Sequence, residues 1–228
     1  SKAEVCIFTR LAASKVGATT MDRPEWIASN PKKNEVCCCL TNNKNRGIKA
    51  NKGGDKVEVD KVNPRKNNKY GQIVRWKPRD GNHSSIYFKW NLFVVAGNPK
   101  IHEDNNKGSS NITNKNMFNS PDGLKFDKYG RLWIQTDGNY SNSGDFEGMG
   151  NNRMLIADTN TGEIKRFMVG PKECEVTGLT FTPDNKTAFV GIQHPGERLG
   201  SHFPDGKNNK PRSCIIAIRK KDNSELLT

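Results

Sequence analysis

The stretch Phe118 to Asn139, FNSPDGLKFDKYGRLWIQTDGN, leaves the chain little choice of local fold. Leu124 and Phe126 alternate with polar neighbours, Asp127-Lys128-Tyr129-Gly130 supplies turn residues, and Leu132-Trp133-Ile134 returns as a second apolar run. Apolar runs on both sides of a Gly-containing turn predict a β-hairpin. It starts at Pro121-Asp122-Gly123 and finishes at Thr136-Asp137-Gly138. Antiparallel pairing then puts Asp122 and Asp137 near one rim. Paired carboxylates suit a hard cation or a phosphoryl-transfer site. A polar loop looks the same, and recurrence is what separates the two readings.

The pattern recurs twice. Glu25-Trp26-Ile27, a turn at Asn30-Pro31-Lys32-Lys33-Asn34, and Val36 to Leu40 followed by Thr41-Asn42 form one copy. Thr177 to Phe181, a turn at Thr182 to Lys186, and Ala188 to Ile192 followed by Gln193-His194-Pro195-Gly196 form another. Outer strands are expected at Gly71–Trp76 and Ile86–Val95 after the first copy, Arg153–Asp158 and Glu163–Val169 after the second, and Cys214–Ile218 after the third. A hairpin plus two further strands, repeating at roughly fifty to a hundred residues, predicts an all-β fold of the β-propeller kind. Innermost strands of a propeller face a shared channel, which places Glu25, Asp122 and the segment 175–177 around one mouth. Ahead of the repeats, Val5 to Thr9 reads as a short strand, and Arg10 to Thr20 as a helical turn or an extended crossing segment. The Gly/Asn/Lys-rich stretches 44–69 and 100–116 are expected to be mobile surface loops too polar to pack.

Composition narrows the function. The apolar fraction is 33%, mean hydropathy is −0.81 and no long apolar run exists, so no membrane-spanning helix is expected. The opening SKAEVCIFTR has no hydrophobic signal core; any export signal was removed or never present. Net charge is +13, but the basic residues are scattered among loops such as Lys44-Asn45-Arg46 and Arg219-Lys220-Lys221. With no nucleic-acid-binding motif, that scatter argues against a nucleic-acid interface and for a basic surface that attracts anionic substrates. Cys6, Cys37, Cys38, Cys39, Cys174 and Cys214 show no CxxC or zinc-finger spacing. Cys37 to Cys39 read as small packing residues, and disulfide pairing stays open.

Glu25 and Asp122 are the foremost metal-ligand candidates, since convergent carboxylates repel one another unless a cation neutralises them. Glu175 joins them, and Asp22 and Asp137 are weaker candidates that also read as solvated loop residues. Arg23 could grip a phosphate by a forked pair of hydrogen bonds or form a salt bridge with Asp22 or Glu25. Arg10 and Arg65 default to solvent exposure or an ion pair. His194, at the end of the third hairpin, could donate a proton to a leaving group or be structural. No GxSxG, HExxH, P-loop or GxGxxG is present.

The segments TRLAASKVGATTMDRPEW, LTNN, NPRKNNKYGQIVRW, FNSPDGLKFDKYGRLWIQTDGN and TGEIKRFMVGPKECEVTGLTFTPDNKTAFVGIQHPGE resemble, in order, the C-terminal part of PhoX-type alkaline phosphatases. The resemblance covers about Val5 to about Ile218. It implies a six-bladed β-propeller from a bacterial periplasmic or secreted enzyme that hydrolyses phosphate monoesters with iron and calcium. Glu25 of DRPE would be a metal-bridging carboxylate, Arg23 a phosphate-binding arginine and Asp122 of SPDG a further ligand; Asp137, Glu175 and His194 match family motifs without an assigned role. PhoX-type proteins are much longer, and their preceding half carries further ligands, including an iron-bound cysteine that does not map onto Cys37–Cys39. On this reading residues 1–228 are the C-terminal part of a propeller, three to four blades' worth. Its partners are phosphorylated small molecules and the remaining blades or another copy, and the isolated fragment lacks the complete cluster. The alternatives are a non-catalytic calcium-binding propeller module and a lactonase-type channel-metal hydrolase.

Overall fold

The computed structural model describes residues 1–51, 54–55 and 57–226. Among these, eleven strands form three antiparallel sheets. The first joins β1 (Pro24–Ser29), β2 (Val36–Leu40), β3 (Gln72–Pro78) and β4 (Phe88–Val95), in that order. The second joins β5 (Pro121–Phe126), β6 (Leu132–Thr136), β7 (Arg153–Ala157) and β8 (Ile164–Val169). The third has three strands, β9 (Glu175–Phe181), β10 (Thr187–Gln193) and β11 (Cys214–Arg219). All three expected hairpins and every expected outer strand are present.

Strand periodicity explains how the sheets stack. Every residue of β2 and of β6 is buried, although side chains alternate between faces. Cys37 and Cys39 enter a core with Ile73, Phe93, Leu124 and Ile134, between the first and second sheets. Cys38 and Leu40 point the other way, toward Val62 and Val74. In β6, Leu132 and Ile134 join the first core, whereas Trp133 packs with Met154, Val176 and Val190 between the second and third sheets. A second strand covered on both faces is what stacked sheets require, and it accounts for the apolar run at Cys37–Cys39. Burying each such side chain contributes about 1.5–3 kcal/mol.

The turn of the central hairpin is fastened by one carboxylate. Asp127 Oδ2 accepts from Trp133 Nε1 at 3.0 Å and from Arg131 Nε at 2.7 Å, while Oδ1 accepts from the Tyr129 amide at 2.9 Å. Gly130 closes the turn at φ 82°. Across sheets, buried Glu35 accepts from Asn30 Nδ2 at 2.7 Å and from Thr159 Oγ1 at 2.6 Å, latching the first sheet to the second.

Four expectations are corrected. Two short helices, α1 (Lys2–Ile7) and α2 (Thr9–Lys15), stand where a strand was expected at Val5–Thr9. Ser1 and Glu4 form a capping box, and that local signal outweighs the short apolar run. The stretches 44–69 and 100–116, expected to be too polar to pack, bury several of their polar residues, although Lys52, Gly53 and Lys56 lie outside the described residues. Arg46 is fully buried and donates to Asp22 Oδ1 at 2.7 Å, to the Glu58 carbonyl at 2.8 Å and to the Thr20 carbonyl at 2.9 Å. Asn68 Nδ2 donates to Asp22 Oδ2 at 2.8 Å, and the Asp22 amide donates to Asn63 Oδ1 at 3.0 Å. Buried Asn116 similarly donates to the carbonyls of Asn111 and Ile164. Polar residues pack here because each finds a partner. Asp22 is therefore a buried ion-pair residue, not a solvated one. Arg65 is also buried, donating to the carbonyls of Ala96 and Gly71. No helix of the described residues is long and apolar enough to cross a membrane.

Removing Arg46 strands a carboxylate in the interior. Arg46→Ala is expected to destabilise the fold by about 3–5 kcal/mol in urea unfolding, with Asp22→Asn in the same chain restoring part of the loss. A single substitution costing under about 1 kcal/mol would contradict the ion pair's burial.

Candidate functional site

The inner strands β1, β5 and β9 lie side by side, β5 in the middle. Each carries one extra residue near its start. Pro24 to Ile27 spans what Leu40 to Cys38 spans opposite, Pro121 to Leu124 spans Thr136 to Ile134, and Thr177 to Thr180 spans Gly191 to Phe189. Such a bulge bends a strand and re-aims its side chains. Glu25 and Asp122 each follow the residue where the bulge begins and are thus equivalent. The third strand has Gly178 there, at φ +65° with open space where a Cβ would be. Its carboxylate, Glu175, comes from the first position of β9 instead.

The equivalence extends backward. Arg23 and Ser120 precede the two prolines, and both adopt φ 53°, rare for residues other than glycine. The Arg23 carbonyl accepts from the Thr41 amide at 3.1 Å, as the Ser120 carbonyl does from the Asp137 amide at 3.1 Å. Asp137 is thereby fixed at the end of β6 beside Asp122.

Four carboxylates share this rim. Asp122 is 8% exposed. Burial first, then the charges of Glu25, Glu175 and Asp137, push its carboxyl up to about 7, against a smaller opposing pull from Arg23. Glu175 is raised as well, by burial and then by Asp137. Gln193 Nε2 donates to Glu175 Oε2 at 2.7 Å, and His194 Nε2 lies 3.7 Å from the same oxygen. Ligand atoms of Asp137, Glu175 and His194 fall within 4.8 Å of one another, a spacing that fits a cation. His194 Nδ1 stands 4.0 Å from Glu197 Oε2. Arg23 Nη2 lies 3.6 Å from Glu25 Oε1, so its ion partner is Glu25 and not Asp22.

A polar cavity of about 1050 Å³ opens beside the cluster. Arg23 and Asp137 belong to its wall, with Asn42, Ser120, Asn139 and Arg10; Glu25, Asp122, Glu175 and His194 lie beyond it. The structure thus gathers Arg23, Glu25, Asp122, Asp137, Glu175 and His194, and leaves Asp22 and Arg65 in the interior. It adds Asn42, Asn119, Ser120, Asn139 and Gln193, which sequence reasoning passed over. Their signal was position: they flank the same motifs, LTNN, NSPDG, TDGN and GIQH.

Residues 1–196 match the family model described as alkaline phosphatase PhoX. The chain belongs to the PhoX alkaline phosphatase family. The solved structure of Pseudomonas fluorescens PhoX in complex with vanadate, a transition-state analogue, is 60% identical and superposes with a TM-score of 0.92. The match covers 98% of this chain and 38% of that one, so the chain spans well under half the length of its relative. A gluconolactonase from Xanthomonas campestris is similar at 14% identity and a TM-score of 0.38, over 75% of this chain and 35% of its own. Comparison with curated protein sequences gave no match. The part of the chain that matches the PhoX model contains all six residues of the rim.

The raised Asp122 carboxyl gives metal-free protein a pH-dependent stability. An unfolded chain loses this proton near 3.8, whereas the folded chain holds it to about 7. Stability therefore falls as pH rises through that window and levels off above it. Asp122→Asn is expected to flatten the dependence of the thermal midpoint on pH between about 4 and 7. An identical slope in the variant would rule out the raised carboxyl.

Proposed function

We propose that this chain forms part of a metal-dependent phosphatase that hydrolyses phosphate monoesters at the shared ends of β1, β5 and β9. The observation that carries the reading is the packed carboxylate rim beside Arg23, in a chain whose relative was solved with vanadate. The donor set fits hard cations: burial first, and then negative neighbours, hold the carboxyls of Asp122 and Glu175 raised, and open space lies beside Gly178. Glu25, Asp122, Asp137 and Glu175 are the residues that would hold the ions, calcium and iron by family resemblance. Bound there, the ions would supply positive charge for phosphoryl oxygens and orient the attacking oxygen.

The chain's own residues do the rest. Arg23 presents a fork of N–H donors to the phosphoryl oxygens and offsets charge that grows in the transition state. His194 stands between the carboxylates of Glu175 and Glu197 and is the group placed to donate to the departing ester oxygen. The cavity, far larger than one phosphate, receives the remainder of a phosphorylated small molecule.

The three sheets read as three blades of a six-bladed propeller, with residues 1–228 as its C-terminal part. The remaining blades, or a second copy of the chain, complete the channel. A bacterial periplasmic or secreted location accompanies this reading. Glu25→Ala in the intact protein is expected to abolish turnover of para-nitrophenyl phosphate and to lower bound calcium and iron in elemental analysis. Full activity with stoichiometric metal in that variant would refute it, and calcium binding without turnover in the unmutated protein would point to a non-catalytic module.

A further inference from the structure

A half-exposed arginine samples many rotamers, yet a guanidinium that meets a phosphoryl group must be held in place beforehand. Glu25 cannot hold Arg23 in the loaded site: it lies 3.6 Å away, and its carboxylate is assigned to the cations. The structure shows another support. Arg23 Nη1 donates to Asn42 Oδ1 at 3.2 Å, and Asn42 Nδ2 donates to Ser120 Oγ at 3.1 Å. Ser120 Oγ donates to Asn119 Oδ1 at 3.1 Å, and that oxygen also accepts from the Asn139 amide at 2.9 Å. Asn119 Nδ2 returns to the Asn139 carbonyl at 3.2 Å.

The direction of this chain is fixed from its first member. A guanidinium only donates, so Asn42 must offer its oxygen and turn its amino group to Ser120, whose proton then goes to Asn119. The far end is rigid. A Cβ on Gly138 would stand 2.1 Å from Asn119 Oδ1, so Asn119 rests directly on the backbone that follows Asp137. The network therefore runs from the first sheet to the second and ties Arg23 to the strand end that carries Asp137. A neutral amide is the suitable acceptor. It occupies one guanidinium N–H and leaves the positive charge unneutralised for an incoming anion.

We propose that Asn42, backed by Ser120, is a positioning residue that aims Arg23 at the phosphoryl group; the proposal rests on the phosphatase reading above. The test uses the intact, metal-loaded protein and vanadate as probe, with dissociation constants from calorimetry. Asn42→Ala is expected to weaken vanadate binding about tenfold or more, the size expected for a hydrogen bond to a charged group. In an Arg23→Ala background the same change is expected to add nothing, because Asn42 acts only through Arg23. Side-chain NMR supplies a readout free of metal and turnover: the Arg23 Nη resonances, resolved in the parent protein, are expected to average together in Asn42→Ala. Ser120→Ala is the second variant, expected to show the same pattern more weakly, and it carries the test if Asn42→Ala fails to fold. Full additivity of Asn42→Ala and Arg23→Ala, or vanadate binding by Asn42→Ala equal to the parent's, would overturn the positioning role and leave Arg23's own role standing. Unchanged vanadate binding in Arg23→Ala would instead overturn Arg23 as the phosphate ligand, and the positioning role with it.

Discussion

One extra residue in each inner strand governs the rim. Without it, Glu25 and Asp122 would keep regular strand alternation and follow the pairing of their neighbours into the sheet. With it, Pro24-Glu25 and Pro121-Asp122 turn out of register at equivalent points, and both carboxylates enter the same neighbourhood. The prolines assist, since each removes a backbone donor where the ladder is already broken. In the third strand the same bulge displays Gly178, so the rim is made of unequal parts: two equivalent acids, one gap, and Glu175 entering from the strand's beginning.

The rim is polar because it is unfinished electrostatically, whereas the polar region behind it is complete. Asp22, one residue from Arg23, has its carboxylate answered by Arg46 and Asn68. Asp122 has three acids near it and one arginine. Two aspartates close to the same rim thus have opposite characters: the first is paired and braces the loop beneath the site, and the second is crowded by like charge.

Much of this was legible in the sequence. Apolar alternation around Asp127–Gly130 and its two echoes identified the hairpins, and the acids at their starts pointed to Glu25 and Asp122. Other features were hidden for physical reasons. Packing of residues 44–69 depends on partners far along the chain, such as Asp22 with Arg46, and composition alone reads those residues as solvated. The helix at residues 2–7 was signalled by Ser1 and Glu4, but the apolar run Val5–Phe8 suggested a strand. Asn42 and Ser120 belonged to recognised motifs, yet an amide's role is set by which atom it offers to which neighbour, and that appears only in three dimensions.

The triple Cys37-Cys38-Cys39 has a consequence for chemical durability. All six cysteines are free thiols, and the strand side chains of β2 are sealed on both faces. Burial, then the charge of Glu35, pushes the Cys37 thiol up to about 12; burial takes Cys38 to about 11 and Cys39 well above its usual range. Disulfide exchange and alkylation attack through the thiolate, so burial shelters these three adjacent sulfurs while the sheet stays folded. Cys6, exposed on α1, has no such shelter.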